Sequence, residues 1–320
     1  MSSIVQPQQA QTRTQAKQPG SKAASHQVLK ENLIGYLFML PWFIGLITLT
    51  IGPMLGSLYL SFTSYDLLSA PRWIGAQNFG AMFADIRFLD AVKVTAIYVL
   101  LSVPLKLIFA LFIAIILNKG LRGLALYRSI YYVPSLLGGS VTIAILWQQI
   151  FGKEGIINQG LALFGIPNPG SWVANPNTAL ATLIILAIWQ FGSPMLIFLA
   201  GLKQIPQEMY EAANIDGANA INRFFKVTLP MLSPIIFFNL VLQMISAFQA
   251  FTPAFIVSNG SGGPYDSTLF YTLYIYKQGF GYFHMGYASA MAWVLLLIIA
   301  IFTAIAFSSS RLWVFYQDER

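Results

Sequence analysis

The sequence predicts an all-α membrane protein with six transmembrane helices. Three observations carry that prediction. The 320 residues are 57% apolar and only 9% charged, whereas an ordinary soluble domain carries about 25% charged residues. Six apolar runs reach the roughly 20 residues needed to cross about 30 Å of hydrocarbon. Lys and Arg gather in alternate connecting segments, the asymmetry that orients spans in a bilayer. So few charges cannot make a water-solvated surface, and lipid must cover most of the chain.

The first run extends from Leu33 to Phe62, with Pro41 and Pro53 expected to bend it. The second covers Ala91 to Leu117, and the third Tyr127 to Phe151, with Pro134 near its start. The fourth covers Thr178 to Ala200, the fifth Pro234 to Ser258 and the sixth Tyr287 to Ser308. Inside lipid every backbone N–H and C=O must be paired within the segment, which makes these runs helices. They are too long, and lack the alternation, for barrel strands.

Orientation follows from the cations. The N-terminal tail, segment 118–126 with Arg128, segment 201–233 and the C-terminal tail together hold twelve Lys and Arg, and the opposite segments hold only Arg72, Arg87, Lys153 and Lys277. This predicts both termini in the cytoplasm. The net charge of +7 is thus a topology signal, and no basic patch interleaved with aromatics points to nucleic acid. Residues 1–30 are rich in Gln, Ser, Ala, Thr and Lys and read as a disordered cytoplasmic tail, without the apolar core of a secretion signal. Residues 31–320 read as a single transmembrane domain. The chain has no cysteine, which removes disulfides, thiolate metal sites and thiol nucleophiles. Its two histidines, His26 and His284, are too few and too far apart to suggest a metal centre.

The segment between the fourth and fifth runs is distinctive. Pro206 opens a stretch of good helix formers, Gln207 to Ile215. Gly217 can take the left-handed conformation that ends a helix. Ala218 to Val227 can resume a short helix, with Pro230 and Pro234 expected to end it before the fifth span. The prediction is a helix–turn–helix elbow outside the bilayer. Ala212, Ala213 and Ala218 permit close approach of another surface, and Glu211 offers that surface a carboxylate.

Glu211-Ala212-Ala213, Gly217 and then Leu229-Pro230 resemble the EAA motif of binding-protein-dependent ABC importer permeases. The longer string Tyr210-Glu211-Ala212-Ala213-Asn214-Ile215-Asp216-Gly217-Ala218 resembles the carbohydrate-uptake branch, the relatives of the maltose and glycerol-3-phosphate permeases. Val227 stands where that branch usually has isoleucine. Tyr127 to Pro134, Ile145-Leu146-Trp147 with Phe151, Met195 to Leu202 with Ile205-Pro206, and Gly262-Gly263-Pro264 extend the resemblance over roughly residues 33–310; the stretch before Gly262 is about two residues longer than the common form.

The resemblance implies a type I ABC importer permease of the bacterial inner membrane, whose EAA loop docks as a coupling helix on a cytoplasmic ATPase. Glu211 would then make the polar contact, Ala212 and Ala213 would allow close packing, and Gly217 would form the turn. It also implies a dimer of ATPase subunits, a second permease subunit and an extracellular solute-binding protein. The chain has no phosphate-cradling G-x-x-x-x-G-K-[ST] run. ATP and Mg therefore belong on the partner ATPase, and this chain is expected to bind no cofactor and to catalyse no reaction.

Solute contacts are read from polar residues within spans. Asn239, Gln243, Ser246 and Gln249 are spaced by four, three and three and share one helical face. Uncharged amides and hydroxyls suit sugar hydroxyls, which need partners once water is stripped away. Gln190 and Ser193 in the fourth span, and Trp147 and Gln148 in the third, could join them. The competing reading is hydrogen bonding between helices. Lys106 lies well inside the second span, where a charge usually faces a wet cavity or the bundle interior. It could contact an anionic or polar solute, or pair with a neighbouring subunit. A gradient-driven transporter is the main rival, yet it would normally place acids at mid-membrane, and every Asp and Glu here falls outside the runs or at the tails. An intramembrane enzyme would need histidines or carboxylates that the spans lack.

Overall fold

The computed structural model describes residues 21–120 and 123–315. Most of the tail expected over residues 1–30, together with Arg122 and residues 316–320, lies outside the described residues; from Ser21 the chain is helical. The described residues form two compact units that divide between Gly56 and Ser57.

In the first unit, α1 runs from Ser21 to Gly45 and passes through Pro41. The helix widens into a π turn over Leu46–Ile51 before α2, Gly52–Ser61. The cause is Pro53: it donates no N–H, and its ring would press on the carbonyl four residues back. The wider turn lets the Gly52 N–H reach Ile47 O instead. Ile34–Ser61 is long and apolar enough to cross a membrane.

The second unit is organised around α4, Ile86–Asn118. Asp85 caps it, its Oδ1 accepting from the N–H groups of Arg87 and Phe88 at 3.0 and 3.3 Å. Ala91, Thr95, Tyr98, Ser102, Leu107, Ala110, Ala114 and Leu117 are buried along one face. Leu100, Leu101, Leu105, Ile108 and Phe112 are exposed on the other. The buried alanines let other backbones approach closely, which matters in a bilayer because lipid tails are as apolar as leucine and contribute no hydrophobic drive between helices.

The remaining stretches pack or connect around this helix. α3 (Gln77–Ala84) precedes α4. The third span is two helices, α5 (Leu124–Leu137) and α6 (Val141–Ile150), bent by 96°. A short α7 (Ile156–Leu163) leads to the fourth span, α8 (Ala179–Trp189) and α9 (Gly192–Leu202), bent by 41°. The fifth is α12 (Leu229–Phe248), reached through α10 (Gln207–Ile215) and α11 (Ala220–Arg223) and followed by α13 (Thr252–Val257). After α14 (Tyr271–Tyr276), the last span is α15, Met285–Trp313. α8, α9, α12 and α14 all pack on α4. Counting each bent pair as one span, the described residues supply six.

Two expectations need correction. The third and fourth spans are not continuous helices. Ser135, in the last turn of α5, reaches the break of the fourth span: its Oγ donates to Gln190 O and accepts from Ser193 N, both at 3.0 Å. A side chain inserted into the ladder is a recognised cause of such a kink. Gly192 has no room for a Cβ because the backbone of α5 lies against it, and Gly138 has none because the Gln190 side chain does. The prolines of the fifth span also do not stop a helix. Pro230 lies in the first turn of α12, where its missing N–H costs nothing. Pro234 lies inside α12, and the Pro230 carbonyl it would have engaged accepts from Ser233 Oγ at 2.6 Å.

Candidate functional site

Three helix breaks meet at one cavity. Gly139 at the α5–α6 break, Gln190 at the α8–α9 break and Gln249 to Thr252 at the α12–α13 break all line a space of about 450 Å³. Non-helical backbone at membrane depth is tolerated where it lines a watery cavity or is buried in protein, and the Ser135 latch shows the cost being met locally. α4 supplies the opposing wall with Tyr98, Ser102 and Lys106.

The polar stripe divides at this cavity. Gln243, Ser246 and Gln249 line it together with Gln190. Gln190 also donates from Nε2 to Gly138 O at 3.1 Å, so it both ties two broken spans together and borders the cavity. Asn239 is fully buried away from the cavity and donates to Ile235 O, one turn back in its own helix. Ser193 spends its backbone N–H on Ser135 and does not line the cavity. Trp147 is a packing residue: its indole N–H donates to Thr182 O at 2.9 Å, and its ring lies against Phe151 and Trp189. Gln148 borders a separate space of about 550 Å³ with Val257 and Asn259, and its Nε2 reaches Val257 O at 3.4 Å. Sequence spacing had no signal for the contributions of Tyr98 and Ser102, which lie about two turns and one turn before Lys106 on α4.

The elbow stands near the other end of α4. α10 begins directly after Pro206 and ends in a Schellman turn: Ala218 N donates to Ala213 O at 2.9 Å and Gly217 N to Asn214 O at 3.0 Å. Gly217 takes φ +74°, the left-handed region. Asn219 then caps α11, accepting from Asn222 N at 2.8 Å. Tyr210 Oη and Thr228 Oγ1, 3.0 Å apart, tie α10 to the π turn Phe224–Thr228 that enters α12, and the Arg223 guanidinium bonds Asn214 Oδ1. Glu211 and Ala212 are exposed and Ala213 half-buried. Ile215 and Ile221 are 87% and 68% exposed, so the elbow presents apolar side chains beside the exposed carboxylates of Glu208, Glu211 and Asp216. Leu229 and Pro230 are half-buried in the first turn of α12 and support the elbow from behind.

The start of α4, its far end from the elbow, is held by polar groups. Asp85 Oδ2 accepts from the hydroxyls of Tyr274 and Tyr287 at 2.6 and 2.9 Å. Burial, reinforced by Asp85, pushes the Tyr274 phenol above its usual range. Arg87 pairs with Asp266 through both Nε (2.9 Å) and Nη2 (2.6 Å). Among the described residues no cluster of His, Cys, Asp or Glu could hold a metal ion.

Comparison with known proteins agrees with this architecture. The chain is 56% identical to the probable ABC transporter permease protein YesP of Bacillus subtilis, over 92% of this chain and 96% of that protein. It is 32% identical to the lactose transport system permease protein LacF of Rhizobium radiobacter, over 87% of this chain and 94% of the relative. At 31%, it resembles the arabinooligosaccharides transport system permease protein AraP of Bacillus subtilis over 86% of this chain and 88% of the relative. In three dimensions it matches a chain of a bacterial ABC transporter involved in import of the acidic polysaccharide alginate, with a TM-score of 0.75 at 22% identity, covering 90% of this chain and 98% of the other. Residues 78–313 match the family model described as binding-protein-dependent transport system inner membrane component. The chain is therefore a membrane transport component and belongs to that family.

Proposed function

We propose that this chain is one of two permease subunits of an ATP-driven importer that carries a sugar or oligosaccharide across the bacterial inner membrane. The observation that carries the reading is the cavity where three broken helices meet, walled by the amides of Gln190, Gln243 and Gln249 and the hydroxyl of Ser246. Such groups replace water around sugar hydroxyls without adding charge. The names of LacF and AraP, which specify lactose and arabinooligosaccharides, support the carbohydrate class.

In this reading an extracellular binding protein delivers the solute. A related transporter has been solved in complex with an alginate pentasaccharide-bound periplasmic protein, which supports such a partner here. The elbow over residues 207–228 is the coupling element. Glu211 meets a basic group on the ATPase, Ala212 and Ala213 let that surface close in, and Gly217 fixes the angle between the two short helices. ATP and Mg sit on the ATPase pair, and their binding and release drive alternating access through the elbow. The cation asymmetry supports placing the elbow and both termini in the cytoplasm.

The test is reconstitution. The chain, its partner permease and the ATPase are placed in liposomes with external binding protein and internal ATP. Saccharide uptake that requires both ATP and binding protein is expected. Uptake that runs on an ion gradient without ATP would overturn the reading.

A further inference from the structure

We infer that the cavity is built for an anionic saccharide, one bearing a carboxylate, sulfonate or phosphate, with Lys106 as the residue that takes the charged group. The inference rests on the importer reading and deepens it.

Lys106 is the one charged side chain among the residues lining the cavity. It lies some 20 residues into a 33-residue span, roughly 30 Å along the helix at 1.5 Å per residue. Among the described residues no carboxylate pairs with it. The helices that pack on α4, namely α3, α8, α9, α12 and α14, contain no Asp or Glu, and the short turn Pro264–Asp266 that also packs on α4 carries Asp266, which Arg87 engages. Among the described residues the only ion pair is Arg87–Asp266, near the start of α4. Snorkelling to the interface does not account for it either, because the side chain borders the cavity rather than the lipid-facing ridge of Leu101, Leu105 and Ile108.

An ammonium at membrane depth is expensive unless a counter-charge or water meets it. Here the space beside it is roomy and polar, at about 450 Å³ and within the size range of small-molecule sites. Around it stand Ser102 and Tyr98 on the same helix, and Gln190, Gln243, Ser246 and Gln249 opposite. The arrangement offers one cation for an oxyanion and several neutral groups for hydroxyls. That is the complement of a charged sugar rather than of a plain one. A lysine ammonium is a compact point charge without the bidentate fork that would select a planar carboxylate, so the class is set by charge and not by the shape of the anion.

The experiment uses the complete importer in liposomes with its own binding protein. Probes are saccharides carrying a carboxylate, a sulfonate or a phosphate, each beside an uncharged counterpart, such as an oligouronate and its carboxyl-reduced form. Wild type, Lys106→Met and Lys106→Arg are compared for ATP-dependent uptake. Wild type is expected to move at least one anionic probe in preference to its neutral counterpart. Lys106→Met should lower that anionic uptake about tenfold or more, the scale of a lost hydrogen bond to a charged group. It should leave or raise neutral uptake, and Lys106→Arg should retain most of the anionic preference. Equal loss of both classes in Lys106→Met would overturn the inference and mean that Lys106 pairs with the other permease subunit. Wild-type uptake restricted to uncharged saccharides would overturn it while leaving the importer reading intact. Absence of ATP-dependent uptake for every probe would overturn both.

Discussion

Replacing Gly217 by valine isolates the turn of the elbow. Gly217 holds φ +74°, and a Cβ built there meets nothing within 4 Å. The cost is therefore backbone strain alone, about 1–2 kcal/mol for an L-residue in the left-handed region, which shifts a two-state ratio by roughly 5–30-fold. The elbow is exposed and held to the bundle mainly by the Tyr210–Thr228 contact, placing it at the low end of local stability, so the shift should be felt. Affinity for the purified ATPase subunit, titrated against the permease pair, is the assay. Gly217→Val is expected to weaken it several-fold. Gly217→Asn should fall between valine and wild type, because asparagine tolerates this conformation better than other residues. The membrane subunits should stay folded in both. If valine binds the ATPase as tightly as glycine does, the turn is not what positions the docking surface.

Ser135→Ala removes two hydrogen bonds, to Gln190 O and from Ser193 N. It should cost about 1–3 kcal/mol, read as a lower Tm in detergent together with reduced uptake. Asp85→Ala removes the cap of α4 and leaves the Tyr274 and Tyr287 hydroxyls without their acceptor, a loss of about 2–4 kcal/mol. Asp85→Asn keeps an acceptor for both roles and should recover more than half of that in the same melt. Because the chain has no native cysteine, single substitutions report sidedness without background: Asn214→Cys should react with an impermeant maleimide only after cells are opened, and Ser261→Cys in intact cells.

How much of this was legible depends on the range of the forces involved. Span positions follow from local hydropathy, so the second run expected over Ala91–Leu117 appears within Ile86–Asn118, and the sixth within Met285–Trp313. The short helix expected over Gln207–Ile215 appears with those limits, because a proline start and a glycine stop are local chemistry. The breaks were not legible as breaks. Gly138-Gly139-Ser140 and Gln190 to Ser193 sit inside apolar runs, and the fourth span opens where Ser135 reaches it from the third. The prolines misled for the opposite reason: Pro230 falls where a helix start needs no N–H, and the Pro234 defect is repaired by Ser233.

The polar residues sort by depth and direction, which spacing alone does not give. Asn239 shares a helical face with Gln243, yet it lies one turn deeper in the bundle and bonds its own helix. Trp147 reads equally well as a stacking platform or as packing, and its bond to Thr182 O makes it packing. Broken helices at mid-membrane are a feature that gradient-driven carriers also use. Here no carboxylate accompanies the breaks, and the family match over residues 78–313 places the chain among binding-protein-dependent systems.

Coupling to an ATPase through the elbow is the step on which the importer reading turns. The most direct measurement is a site-specific cross-link from position 211, using Glu211→Cys in the cysteine-free chain and a short bifunctional reagent, in membranes holding the complete complex. A covalent product with the ATPase subunit, its yield changing when ATP is added, is expected. A complex that hydrolyses ATP and imports solute, yet gives no ATPase product from position 211 or from Ala212→Cys, would contradict it.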